Sequence, residues 1–261
     1  MIDWLYSLPD WLLLAACAAF MAGVITVLPR LTHRLPWLSP SAENTDFVLR
    51  LQTTLFTATS FVIAFTLVEA EANFRKVDTL VSTEASTINR LDRLLVRYGH
   101  ETADQVRPHL LTYAKSIVSD EWPLLAHGDG SDKTQQAFGA VSRGILALEP
   151  SQGRQVTIYA EILRSFDMVA ETRDSRLNAV GVSLSAIFWE VIGFAFLILL
   201  FVSSNIERTR FRSIILGCQM AVLGTFIGFV FVMDQPFKGR SAVDPGAIVQ
   251  TIAIMENRKG G

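Results

Sequence analysis

The chain has 261 residues, half of them hydrophobic and 18% charged, with a mean hydropathy of +0.34 and a formal net charge of −2. That is too apolar for an ordinary soluble domain and fits a membrane protein with a sizeable polar portion. There is no basic excess and no motif of a nucleic-acid-binding fold, which excludes nucleic acid as a partner; Cys17 and Cys218, both inside apolar runs, do not make a disulfide framework.

The first apolar run is Trp11 to Leu28, eighteen residues without a charge and long enough to span. The tail before it has no Lys or Arg, so the basic start of a cleaved signal peptide is missing and an uncleaved span is expected. Trp4, Tyr6 and Trp11 suit an interfacial belt. Residues 29–51 read as a loop, broken by Pro29, Pro36 and Pro40 and carrying Arg30, Arg34 and Arg50. The second run, Thr53 to Val68, is short for a span and passes without a break into charged helical sequence.

Residues 69–185 form the polar portion, which reads as nearly all helix. Its first helix continues from the second span to about Tyr98, with Leu80, Ile88, Leu91, Leu94 and Leu95 as an apolar stripe and Gly99 as its stop. A second helix is expected over about 102–125 and a third over about 133–148. A fourth, capped by Ser151, is read as running directly into the third span. Asp120-Glu121-Trp122-Pro123 is a packing and turn element; adjacent acids on a helix point about 100° apart and make a poor acid–base pair. The third apolar run is Ala186 to Ser203 and the fourth Ile214 to Met233, joined by a turn with Arg208, Arg210 and Arg212. Gly224 and Gly228 permit close helix approach, and Gln219 is placed for an interhelical hydrogen bond. Glu190 is assigned to the interface. Residues 234–261 read as a polar tail.

The expected fold is therefore an all-α integral membrane protein, with four transmembrane helices and an amphipathic helical insert between the second and third. Its parts are 1–68, 69–185, 186–233 and 234–261, forming one cooperative body. Four spans put both termini and the insert on one side. The positive-inside rule does not say which: six basic residues lie near the membrane in the two short loops, and six on the opposite side.

At 3.6 residues per turn, Thr57, Phe61 and Phe65 form one stripe of the second span, continued by Val68, Ala72 and Arg75, with Glu69 and Glu71 at its flanks. Such a stripe packs in a bundle or lines a pore. Aromatic rings facing a pore make a dewetting constriction, and their positive edges favour anions; flanking carboxylates attract cations.

Ser60-Phe61-Val62-Ile63-Ala64-Phe65 resembles the second-helix signature of bestrophins, S-F-V-L-G-F. Asp234-Gln235-Pro236-Phe237-Lys238-Gly239 resembles the N-P-F-G segment that bestrophins carry after the fourth span. The whole chain resembles a bacterial bestrophin-like membrane family of unassigned function, with the same S-F-V-x-A-F, D-E-W-P and D-x-P-F-x-G segments. The resemblance implies an oligomer, pentameric as in bestrophins, which are anion channels whose second helices surround the pore. It implies a pore neck at Phe61 and Phe65, with Thr57 at a third level where bestrophins have an aliphatic residue. It also implies a bacterial inner-membrane location, with insert and termini cytoplasmic. The post-span motif (Asp234, Pro236, Phe237, Gly239) lacks the acidic run of the bestrophin calcium clasp, so no calcium activation through this segment is expected.

His33, His100, His109 and His127 show no metal-ligand spacing, and neither a phosphate loop nor a nucleophile elbow is present. An enzyme, a metal and a cofactor are not expected. The expected function is a bestrophin-like ion channel, passing anions such as chloride, with membrane lipid, small inorganic ions and further copies of the chain as partners. The competing expectation is a non-conducting membrane scaffold or sensor whose insert binds a partner.

Overall fold

The computed structural model describes residue 6 and residues 8–32, 42–151 and 153–258. Trp4, His33, Arg34, Pro36 and Pro40 lie outside the described residues. Among the described residues all regular structure is helical: α1 (Asp10–Thr32), α2 (Ala42–Tyr98), α3 (Glu101–Ser116), a π turn (Ile117–Glu121), α4 (Trp122–Leu125), α5 (Asp132–Leu146), α6 (Arg154–Asn178), a 3₁₀ turn (Ala179–Gly181), α7 (Ala186–Ser204), α8 (Arg210–Met233) and α9 (Gly246–Asn257). Four of these segments are long and apolar enough to cross a membrane. The chain divides into two compact units. One holds residues up to Phe74 with Ser183–Ala242; the other holds Arg75–Val182 with the chain from Val243. Helix α2 contributes to both.

The membrane unit packs α1, the first part of α2, α7 and α8 around Ile25, Ile63, Ile192, Phe196, Leu199, Met220, Leu223 and Val230. The two glycines of α8 meet α1 closely. A Cβ on Gly224 would stand 2.6 Å from the Cys17 carbonyl oxygen, and one on Gly228 3.1 Å from Leu14. Gln52 Nε2 donates to Gln219 Oε1 at 3.0 Å, so two amides on α2 and α8 satisfy one another inside the apolar layer. Glu190 is exposed, one turn inside α7.

Four expectations are corrected. First, α2 begins at Ala42, so residues 42–51 are helix and not loop. The prolines end at Pro40, and nothing from Ala42 to Tyr98 breaks a helix: the segment has neither glycine nor proline. Second, α6 does not run into α7. A 3₁₀ turn ends it, Val182 is extended (φ −71°, ψ 117°), and α7 starts only at Ala186. Third, Ser151 does not cap α6, whose N-cap is Gly153; the Ser151 hydroxyl donates instead to Gln155 Oε1 at 2.8 Å. Fourth, the polar tail contains α9, an amphipathic helix that buries Ile248, Thr251 and Met255 in the insert.

The insert unit is a helical bundle. Its core joins Leu91 and Leu95 of α2, Leu110 and Tyr113 of α3, Val141 and Ile145 of α5, and Ile162 and Val169 of α6. Phe138 stacks on Phe166 with ring centres 4.9 Å apart. Gly99 takes φ +68° directly after α2, the left-handed stop that glycine supplies. At α9, Lys115 Nζ lies 2.6 Å from Glu256, and Arg258 pairs with Asp92 and donates to Asn89.

Candidate functional site

Helix α2 turns one face into the membrane-unit core through Thr59, Ile63, Thr66 and Ala70, all buried. The opposite face is bare. Phe61, Phe65 and Val68 are 72%, 67% and 64% exposed, and Thr57, Ala72 and Arg75 are exposed with them. The stripe read from spacing is thus a single uncovered face of the folded subunit. Phe61 and Phe65 also form one wall of an apolar groove of about 480 Å³, whose other wall is Ile187, Phe188 and Val191 of α7.

Three hydroxyls at the start of this face are spoken for. Thr53, Thr54 and Thr57 donate to the carbonyls of Leu49, Arg50 and Thr53 at 2.9–3.1 Å. Back-bonding of this kind satisfies a hydroxyl proton inside a helix and leaves oxygen lone pairs facing outward. Beyond the aromatic pair, Glu69 and Glu71 are exposed at the flanks and Arg75 on the face itself; Glu71 and Arg75 both have interaction partners. With α2 starting at Ala42, Phe47 and Arg50 join the same exposed face. Their spacing to Thr54 and Thr57 is that of the rest of the stripe and was visible in the sequence; the three prolines hid it.

The other bare membrane faces differ in composition. That of α7 shows Ile187, Val191, Phe194, Leu197 and Phe201 with Glu190 near its start, and that of α8 shows Phe211, Ile214, Ile215, Val222, Phe226 and Phe229 with one back-bonded hydroxyl, Thr225. Those faces suit lipid tails. The α2 face alternates guanidinium, hydroxyl and aromatic groups along its length.

The post-span motif closes the end of α8. Asp234 Oδ1 accepts from the Leu184 N–H at 2.6 Å, with the Trp189 side chain as a second donor. Burial raises the pKa of this carboxyl above the usual carboxylate range, and those two donors offset only part of the rise. Pro236 and Phe237 are buried, and Gly239 takes φ +87° where a Cβ would lie 3.6 Å from the Tyr6 ring. Tyr6 stacks on Phe231 at 4.7 Å, and Lys238 Nζ sits 5.9 Å from the Tyr6 ring centre. The motif ties the N-terminal segment, the end of α8 and the start of α7 together.

The insert holds a charged cluster that spacing does not reveal. Arg176 is fully buried and bridges Glu84 and Glu121, also fully buried. Arg173 donates to Glu121 and Gln135, and the Tyr113 hydroxyl donates to Glu84 at 3.3 Å. Burial alone would lower the Arg176 pKa; Glu84 and then Glu121 more than reverse it, so the guanidinium stays charged. The π turn places Glu121 here. Its extra residue rotates Asp120 outward, where it pairs with Lys133, and Glu121 inward.

The family model described as a bestrophin-like domain matches residues 15–248 of the chain. No curated protein matches it in sequence. Among solved structures, a variant of a bacterial bestrophin homologue from Klebsiella pneumoniae aligns with a TM-score of 0.70 at 10% identity, over 95% of this chain and 98% of that one. A second variant of the Klebsiella pneumoniae homologue aligns at 0.68 and 10% identity, over 97% and 99%. A structure described only as a membrane protein aligns at 0.68 and 10% identity, over 97% and 98%. At these identities the structural likeness is one of fold.

Proposed function

The chain belongs to the bestrophin-like family, and from that premise we propose that it is an oligomeric ion channel of a bacterial inner membrane, with the exposed face of α2 lining the pore. The observation that carries the reading is the contrast between bare faces: those of α7 and α8 are apolar apart from Glu190 and Thr225, whereas that of α2 shows Thr54, Thr57, Phe61 and Phe65 in line between Arg50 and Arg75. A guanidinium group is costly against lipid tails and is solvated in a water-filled channel, where the outward lone pairs of the back-bonded hydroxyls also find water.

In this reading Phe61 and Phe65 from each subunit make a narrow apolar neck, and Thr57 makes the level above it wetter than an aliphatic residue would. Ring edges directed at the axis present positive partial charge, which favours anions such as chloride. Glu69 and Glu71, at the flanks, oppose that preference. Pentameric assembly, lipid contact on α7 and α8, and a cytoplasmic insert and termini complete the proposal.

The test is flux through purified protein in liposomes. Phe61→Ala and Phe65→Ala, by widening the neck, raise it. A subunit that purifies as a monomer or dimer and leaves liposomes tight overturns the channel and returns the chain to a scaffold whose insert binds a partner.

A further inference from the structure

We propose that Arg50 is the group that sets ion preference at the mouth of the α2 face farther from the insert. This rests on the channel reading and assigns that end of the same face.

Three observations place Arg50 there. It is helical and exposed, and at ~100° per residue it stands about 20° from the Phe61 direction, closer to the centre line than Thr57 or Phe65. It lies 11 residues before Phe61, about 16 Å along the axis, on the opposite side of the neck from Arg75. It also lines a groove of about 670 Å³ with Thr53, Thr54, Thr57, Ala58 and Phe61.

Within that groove the chemistry is lopsided. The three threonine protons are committed to backbone carbonyls, so the hydroxyls offer only lone pairs, which suit water and cations. The Arg50 guanidinium is the one lining group with outward donors, and no ion pair holds it among the described residues. Among the described residues of the groove, an anion reaching the neck from this end meets Arg50 as its one outward donor. Repeated around an oligomer, the guanidinium forms a positive ring that concentrates anions before the narrow segment. Asp46, exposed one turn farther out, offsets part of that charge.

The experiment is the reversal potential of the reconstituted full-length oligomer across a potassium chloride gradient, for wild type, Arg50→Lys, Arg50→Gln, Arg50→Glu, Asp46→Asn and Phe61→Ala. Arg50→Lys keeps the anion preference. Arg50→Gln lowers it, and Arg50→Glu moves the permeability ratio toward cations by roughly tenfold at low salt. The shift shrinks in molar salt, where the screening length is about 3 Å. Asp46→Asn moves the ratio toward anions. Size-exclusion profiles matching wild type show that the variants assemble. If Phe61→Ala changes conductance but Arg50→Glu leaves the reversal potential where it was, the assignment of Arg50 fails and the channel reading stands. If wild type and Phe61→Ala both fail to conduct, both fail.

Discussion

Arg176 grips Glu84 with two nitrogens, Nε at 2.5 Å and Nη2 at 3.3 Å, at a point where neither side chain reaches solvent. The same guanidinium reaches Glu121 through Nη2 at 2.5 Å. One cation of α6 thus bridges carboxylates from α2 and from the π turn, and Arg173, paired with Glu121, supplies the second positive charge. Removing it leaves two buried anions with Arg173 as their remaining cationic partner. Arg176→Met is expected to cost about 3–5 kcal/mol, the range for breaking a buried pair from one side. Arg90→Met removes the exposed pair with Glu161 and costs under about 1 kcal/mol. Thermal unfolding in detergent checks both; equal shifts for the two variants contradict the ranking.

Tyr113 adds a pH dependence to the same cluster. Burial, and then the Glu84 carboxylate, raise its pKa well above the usual tyrosine range. A group whose folded pKa is raised contributes stability that is complete below its unfolded pKa and is lost as pH climbs toward the folded one. The insert therefore loses stability above about pH 10, where an unfolded tyrosine ionises. Tyr113→Phe flattens that alkaline slope while losing the hydrogen bond to Glu84 at all pH values. Melting temperatures between pH 8 and pH 11 separate the two effects.

Gly224 predicts a packing defect. A methyl group there would lie 2.6 Å from a backbone oxygen of α1, which cannot swing aside as a side chain can. Gly224→Ala is expected to destabilise the α1–α8 pair by about 1–3 kcal/mol. Gly217→Ala, in open space on the same helix, is neutral or mildly stabilising through helix propensity. Yield and melting temperature of the purified variants decide; a tolerated Gly224→Ala shows that the helices separate at little cost.

Thr57 predicts the behaviour of the proposed neck. Thr57→Leu supplies an aliphatic side chain at the level where bestrophins carry one, extends the apolar segment by a turn and lowers conductance through dewetting. Thr57→Ser keeps the hydroxyl and keeps the conductance. Single-channel recordings test the pair, and an unchanged Thr57→Leu current removes this residue from the neck.

The sequence made the helices visible because their apolar positions recur at 3.6 residues, and the α2 stripe was visible for the same reason. Its exposure was not, since a bare stripe and a buried one have the same spacing. Arg50 reads as loop in the sequence because proline is a strong local breaker, yet that influence ends at Pro40 and the residues from Ala42 are free to be helical. Helix α9 is hidden in the sequence behind Asp244-Pro245-Gly246, which reads as irregular chain, although Ile248, Thr251 and Met255 follow at helical intervals. The Glu84–Arg176–Glu121 cluster joins residues up to 92 positions apart, and a single sequence does not pair distant charges. The register change that turns Glu121 inward depends on one extra residue in a turn, which periodicity cannot locate to that precision.

Helix α2 runs for 57 residues without a glycine, a proline or a change of hydrogen-bond register. At 1.5 Å per residue it is a shaft of about 85 Å. Within the membrane unit, the unbroken register alone keeps the guanidinium, hydroxyls and rings of the bare face in line. One residue inserted between Thr54 and Thr57 would turn Phe61 and Phe65 by about 100° away from the side on which Arg50 and Thr54 stand.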